Sequence, residues 1–217
     1  MTDLGLSRPT PRELPARGAV RTAGDTNVVF IHGILSNSSS AWTAADGTAW
    51  PHLLEDEPTR AGLGIFTFAY ATTVTTGTYS VEQVVTALHE FLLQEGLLAK
   101  PRLMIVAHSM GGIAARRWLV QHAADLASRN IALGLLLVAS PSLGSGYANL
   151  LKQLNDFLGN SQLAGLELSD RNQWLDGLDR DFRRLLDDGR LTIVGREIVE
   201  DRPPAFLAYL TNAPIVA

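Results

Sequence analysis

Five short stretches of mostly apolar residues, at 28–31, 65–68, 103–107, 133–138 and 191–194, punctuate the 217-residue chain. None alternates polar with apolar positions, so none reads as a strand with one wet face. A strand that is apolar on both sides belongs in a sheet buried on both faces. Helical patterns lie between them. Ser80-Val81-Glu82-Gln83 forms a capping box, and Val81, Val84, Val85, Leu88 and Leu92 then share one helical face. Gly96 can end that helix in a left-handed conformation. Pro51 suits the first position of a short helix. Further helices are expected at 111–124, at 147–158 with Gly159 as the stop, and at 172–187. Residues 214–217 read as the start of a sixth strand. Strand and helix in alternation predict an α/β fold, a mostly parallel sheet with helices on both faces.

With 46% apolar residues, the chain can fill a large core and is not intrinsically disordered. Net charge is −4, so no broad positive field exists for nucleic acid. There are no cysteines, which excludes disulfides, thiolate metal sites and a cysteine nucleophile. No metal-ligand spacing, phosphate-binding loop or dinucleotide fingerprint is present, and no cofactor is expected. No apolar run reaches the length of a membrane span, and the first twenty residues hold three arginines and no apolar block. The expectation is a soluble, cytoplasmic protein. Pro9, Pro11 and Pro15 among Arg8, Arg12 and Arg17 predict a flexible tail over 1–24, with a short edge strand at 20–22, and a single domain over 25–217.

The most specific segment is Ala107-His108-Ser109-Met110-Gly111, with a second glycine at 112. A strand pattern precedes it and a helix pattern follows. This is the nucleophile-elbow pattern with alanine at the first small position. Small neighbours allow the sharp reversal that thrusts Ser109 above the sheet, close to a helix amino terminus that favours developing negative charge. His108 neighbours Ser109 at that turn, so its side chain is expected to point away and pack beside the elbow. His32-Gly33-Ile34, directly after the first strong strand, supplies the other half of such a site. An oxyanion hole needs two convergent backbone amides, here those of Met110 and Ile34. Gly33 leaves room for substrate, and His32 holds the loop by hydrogen bonds.

Phe30-Ile31-His32-Gly33, Trp42, Trp50-Pro51, Phe68-Ala69-Tyr70 and Ala107–Gly112 occur in that order, followed by Ser140-Pro141 and Gly144-Ser145. In this the chain resembles the α/β-hydrolases of the lipase-like group, within them the SERAC1-like and PGAP1-like (DUF676-type) serine esterases, over about residues 25–145. The resemblance implies an α/β-hydrolase fold and a lipase, esterase, thioesterase or acyl-remodelling activity on a small-molecule or lipid acyl ester. Two departures stand out. Ala71 replaces an acidic residue frequent in the family, and the family's carboxy-terminal part has no counterpart within the 217 residues.

In this fold the triad runs Ser, acid, His. The acid is expected just after the strand at 191–194, where Glu197 is the first candidate and Glu200 and Asp201 are the alternatives. The histidine is expected after one further strand, a position beyond residue 217. None of His32, His52, His89, His108 and His122 has the required place in the chain. Without a base a serine hydroxyl is a poor nucleophile. Two rival readings therefore stand beside the serine hydrolase: a hydrolase-like module that binds without turnover, and an acyltransferase using the same serine. The insertion at 145–188 is expected to cover the sheet or cap an acyl pocket. In it Trp174, Leu178, Phe182, Leu185 and Leu186 make an apolar stripe, with Asp176/Arg180, Asp179/Arg183 and Arg184/Asp188 on the solvated face. An unpaired last strand would leave an open sheet edge, and with it a route to self-association.

Overall fold

The computed structural model describes residues 12–33, 36–60, 62–71, 80–140 and 168–198. Among these residues six strands form one sheet: β1 (Gly18–Arg21), β2 (Thr26–Ile31), β3 (Leu63–Phe68), β4 (Arg102–His108), β5 (Ala132–Val138) and β6 (Ile193–Ile198). Their spatial order is β1-β3-β2-β4-β5-β6. Only β1 runs antiparallel, against β3; every other pair is parallel. Among the described residues five helices accompany them: α1 (Trp50–Asp56), α2 (Val81–Gln94), α3 (Met110–Gln121), α4 (Ala123–Arg129) and α5 (Leu168–Asp187). This is the expected mostly parallel α/β sheet, with β4 and β2 at its centre.

Local chemistry explains the helix limits. The Ser80 hydroxyl accepts from the Gln83 amide, and the Gln83 side chain accepts from the Ser80 amide, so α2 starts in a complete capping box. Past the end of α2, Gly96 sits at φ +66°, where a side chain would be strained. Pro51 lies in the first turn of α1, where no amide donor is required. The single helix expected over 111–124 is two helices, broken at His122. The expected helix at 147–158 and strand at 214–217 lie outside the described residues.

The two faces of the sheet are covered unequally. On one, Val29, Ile31, Phe66, Phe68, Ile105 and Leu135 meet α2, α3 and α5 in a large core around the fully buried Trp118. On the other, Val28, Phe30, Ile65 and Val106 meet Leu14, Trp42 and Ala49 in a smaller cluster. Part of the stretch read as tail belongs to this second layer. Leu14 is buried, the Pro15 carbonyl accepts from the Ser38 and Thr67 hydroxyls, and β1 pairs with β3.

Two expectations at the far side of the sheet need correction. The strand expected at 191–194 is β6, which starts two residues later and runs four residues further, and Leu191 is a buried core residue ahead of it. In α5, Leu175, Leu178 and Leu185 are buried while Leu186 is exposed, so the buried stripe is rotated from the expected one. Asp179 does not lie on a solvated face. It is buried and ion-paired with the equally buried Arg116 of α3.

Candidate active site

Ser109 joins the end of β4 to the start of α3, at φ +51° and ψ −122°. A non-glycine residue in that region costs about 1–3 kcal/mol and persists only where its surroundings over-determine it. Here they do. The Ser109 amide donates to the Val138 carbonyl at 2.9 Å, and the Ser109 carbonyl accepts from the Gly112 amide at 3.0 Å. The neighbouring glycines are required by contact. A Cβ on Gly111 would stand 2.5 Å from the His32 carbonyl oxygen, and one on Gly112 would stand 2.2 Å from the Ser140 hydroxyl. A Cβ on Gly33 would stand 2.8 Å from the Cβ of Ser109. The small residues thus let the amino end of α3 press onto the end of β2, with the His32-Gly33 loop directly against the serine.

Met110 is the first residue of α3, so its amide has no acceptor inside the helix. No described residue outside the helix accepts from it either. Ile34 and Leu35 lie outside the described residues. The loop before them is held tightly. His32 Nδ1 bonds the Gly33 carbonyl at 2.7 Å, and the Tyr70 amide donates to His32 Nε2 at 3.2 Å. An amide can only donate, so Nε2 is the acceptor and Nδ1 carries the proton. The Tyr70 hydroxyl donates to the His32 carbonyl at 2.9 Å, and the two rings stack at 4.6 Å. Burial holds the His32 pKa below its ordinary value, against the opposing pull of the Gly33 carbonyl, and so keeps the ring neutral. Complete burial pushes the Tyr70 phenol well above its usual range.

The five histidines can be placed one by one. His32 has both ring nitrogens engaged. His52, in α1, meets the Glu55 carboxylate at 3.1 Å through Nδ1 and the Arg12 carbonyl at 3.1 Å through Nε2. His89 and His122 stack at 3.8 Å, and the Trp118 indole donates to His89 Nδ1. That pair sits at the opposite end of α3, where His122 is roughly 20 Å from Ser109 at 1.5 Å per residue. His108 lies edge-on to Trp42, with ring centroids 6.2 Å apart. Burial lowers its pKa, and its Nδ1 has no partner among the described residues. The structure therefore brings Ser109, His32, Gly33, Met110 and Gly111 together, and beyond the adjacent, buried His108 it brings no free imidazole to them.

Glu197 is not past the end of its strand. It lies inside β6, in register with Leu137, which is itself in register with Ala107. At about 4.8 Å per strand, its backbone is about 10 Å from that of Ala107, two residues short of the level of Ser109. Glu200 and Asp201 lie outside the described residues. Among the described residues no group of three histidines or carboxylates could hold a metal ion, and no helix is long and apolar enough to cross a membrane. The contact that sequence reasoning missed is the one between Tyr70 and His32. Its only local sign was the Phe68-Ala69-Tyr70 segment at the end of β3.

Strand order, the strained serine at the end of the central strand and the helix behind it define an α/β-hydrolase fold. The chain belongs to the family described as a domain of unknown function, DUF7379, whose model matches residues 6–176. No curated protein matches it in sequence. Among solved structures it is similar to phospholipase PlaB from Legionella pneumophila in complex with thio-NAD, with a TM-score of 0.59 and 18% identity over 87% of this chain and 41% of that one. A second PlaB structure gives a TM-score of 0.51 and 21% identity over 79% of this chain and 39% of that one. The mature form of the lipase BlEst2 from Bacillus licheniformis is 18% identical, with a TM-score of 0.45, over 87% of this chain and 68% of that one. The chain spans about two fifths of the length of PlaB.

Proposed function

We propose that the chain is a serine hydrolase of carboxylic esters or thioesters, acting on a lipid or small-molecule acyl group through Ser109. The observation that carries this reading is the strained Ser109 with the unengaged Met110 amide beside it. The Ser109 hydroxyl oxygen attacks the acyl carbonyl carbon, and the carbonyl oxygen takes up negative charge. The Met110 amide, at the positive end of α3, donates to that oxygen. The second donor is the Ile34 amide. Its support is the Gly33 carbonyl, fixed by His32 Nδ1 and by the Ser36 hydroxyl at 3.0 Å.

Glu197 remains the proposed acid, with Glu200 and Asp201 as alternatives. Its role is to orient the histidine that takes the Ser109 proton, and that histidine is none of the five in this sequence. The alternative reading is a hydrolase-like module that binds an acyl ligand without turning it over. The motif likeness to the SERAC1-like and PGAP1-like esterases supports the hydrolase.

Hydrolysis of a short-chain p-nitrophenyl ester, with and without added imidazole, separates the two. The expected result is turnover barely above background without imidazole, and an imidazole-dependent rate well above that of Ser109→Ala. Equal rates for the two proteins at every imidazole concentration would leave the binding module. Brisk Ser109-dependent turnover without imidazole would make one of the five histidines the base and overturn the triad assignment.

A further inference from the structure

A parallel sheet is ordinarily covered on both faces. Among the described residues α2, α3 and α5 cover one face, whereas α1 and the segment around Leu14 and Trp42 cover part of the other. What remains is a groove of about 480 Å³ across β2, β4 and β5, floored by Phe30, Met104, Val106 and Leu136 and walled by Leu53 and Leu54 of α1. The size is that of a small-ligand site. Leu53 is 56% exposed at its edge.

One end of this groove is basic. Arg60 lines it, and Arg102 donates from Nε to the hydroxyl of Thr26, another lining residue, at 2.7 Å. Neither guanidinium has an acidic partner among the described residues, in a chain whose net charge is −4. Thr26 opens β2 and Arg102 opens β4, so this end lies at the amino ends of the strands. Ser109 lies at their carboxyl ends, about 23 Å away at 3.3 Å per residue.

We propose that the groove binds a long-chain fatty acid, its chain along the sheet face and its carboxylate between Arg60 and Arg102. Apolar walls alone would accept any oily ligand. The paired cations at one end select a single-chain anion and set its direction, since charge-assisted bonds to a carboxylate are the strong ones. The site is separate from Ser109 and does not depend on its chemistry.

Calorimetric titration of the full chain with laurate, against dodecyltrimethylammonium as a chain of equal length and opposite charge, tests it. Laurate should saturate at one equivalent, and the cation should bind at least about tenfold more weakly. Arg60→Gln with Arg102→Gln should weaken laurate by a similar factor, and Leu53→Asp should abolish its binding, while Ser109→Ala should leave it unchanged. As a second readout, Met104→Cys supplies the only thiol in a cysteine-free chain, and laurate should protect it from maleimide. Absence of saturable binding, equal binding of both surfactants, or indifference to the Arg60, Arg102 and Leu53 changes would overturn the proposal. So would a thiol at position 104 that is inert before laurate is added. That result would mean the face is already covered, by a second copy if Leu53→Asp lowers the mass in sedimentation, or else by residues 199–217.

Discussion

The ends of β4 and β6 face the same side of the sheet, two strands apart, and they are built on opposite principles. At β4 nearly every atom is constrained. Ser109 is held in a strained conformation by backbone bonds to Val138 and Gly112, and three glycines admit contacts that no side chain would allow. At β6, every residue from Val194 to Ile198 is exposed, with Val194 at 75%. The surroundings of Ser109 are thus fixed by contacts close in sequence and by the ends of neighbouring strands. The difference shows where the chain has invested its packing, and substitutions on either side can break or sharpen it.

The largest effect is expected at the buried bond that ties the helix behind the elbow to the helix leading into β6. Arg116→Met removes the buried cation that is ion-paired with Asp179 and should cost about 3–5 kcal/mol in urea unfolding. A loss under 1 kcal/mol would mean that α3 and α5 are held by apolar packing alone. Gly111→Ala should come next, at about 1–3 kcal/mol, because its methyl meets the carbonyls of Ile31 and His32 rather than a yielding side chain. Ser109→Gly should act in the opposite direction and raise stability by about 1 kcal/mol, by releasing the positive φ. Val194→Thr on β6 should change stability by less than about 0.5 kcal/mol.

Acid tests the same contrast without mutation. His32 and His108 flank the elbow, and burial lowers both below the ordinary 6.5. The unfolded chain therefore binds more protons than the folded one as pH drops below 6.5. Stability should be intact above that value and should decline as pH falls from it towards the folded-state values. His32→Gln should flatten part of that slope. A stability that rises on acidification between pH 6.5 and 5 would contradict the neutral, bonded His32.

What could be read from the sequence follows the same division. The elbow, the capping box of α2 and the alternation of strand and helix are short-range patterns, each set by residues within a few positions. Their physical cause and their sequence signature coincide. Asp179 was not legible, because helical i,i+4 spacing to Arg183 describes a solvated face equally well. Its actual partner, Arg116, is 63 positions away. The limits of β6 were hidden because Gly195-Arg196-Glu197 carries no apolar run, and among the described residues nothing buries these positions. Leu14 was masked by the prolines and arginines around it, whereas the edge strand expected at 20–22 is β1, which starts two residues earlier. The groove beside Arg60 has no local signature at all, since β2, β4, β5 and α1 contribute to it from separate parts of the chain.

Covalent labelling tests the central claim, that Ser109 is the aimed nucleophile of this fold, most directly. The folded chain would be incubated with a fluorophosphonate in the presence of imidazole, and the adduct located by peptide mass spectrometry. The account requires one adduct, on Ser109, formed faster than on any other serine and lost when the chain is unfolded in urea beforehand. Labelling spread over the exposed serines, or an unmodified Ser109 under conditions that label the others, would contradict it.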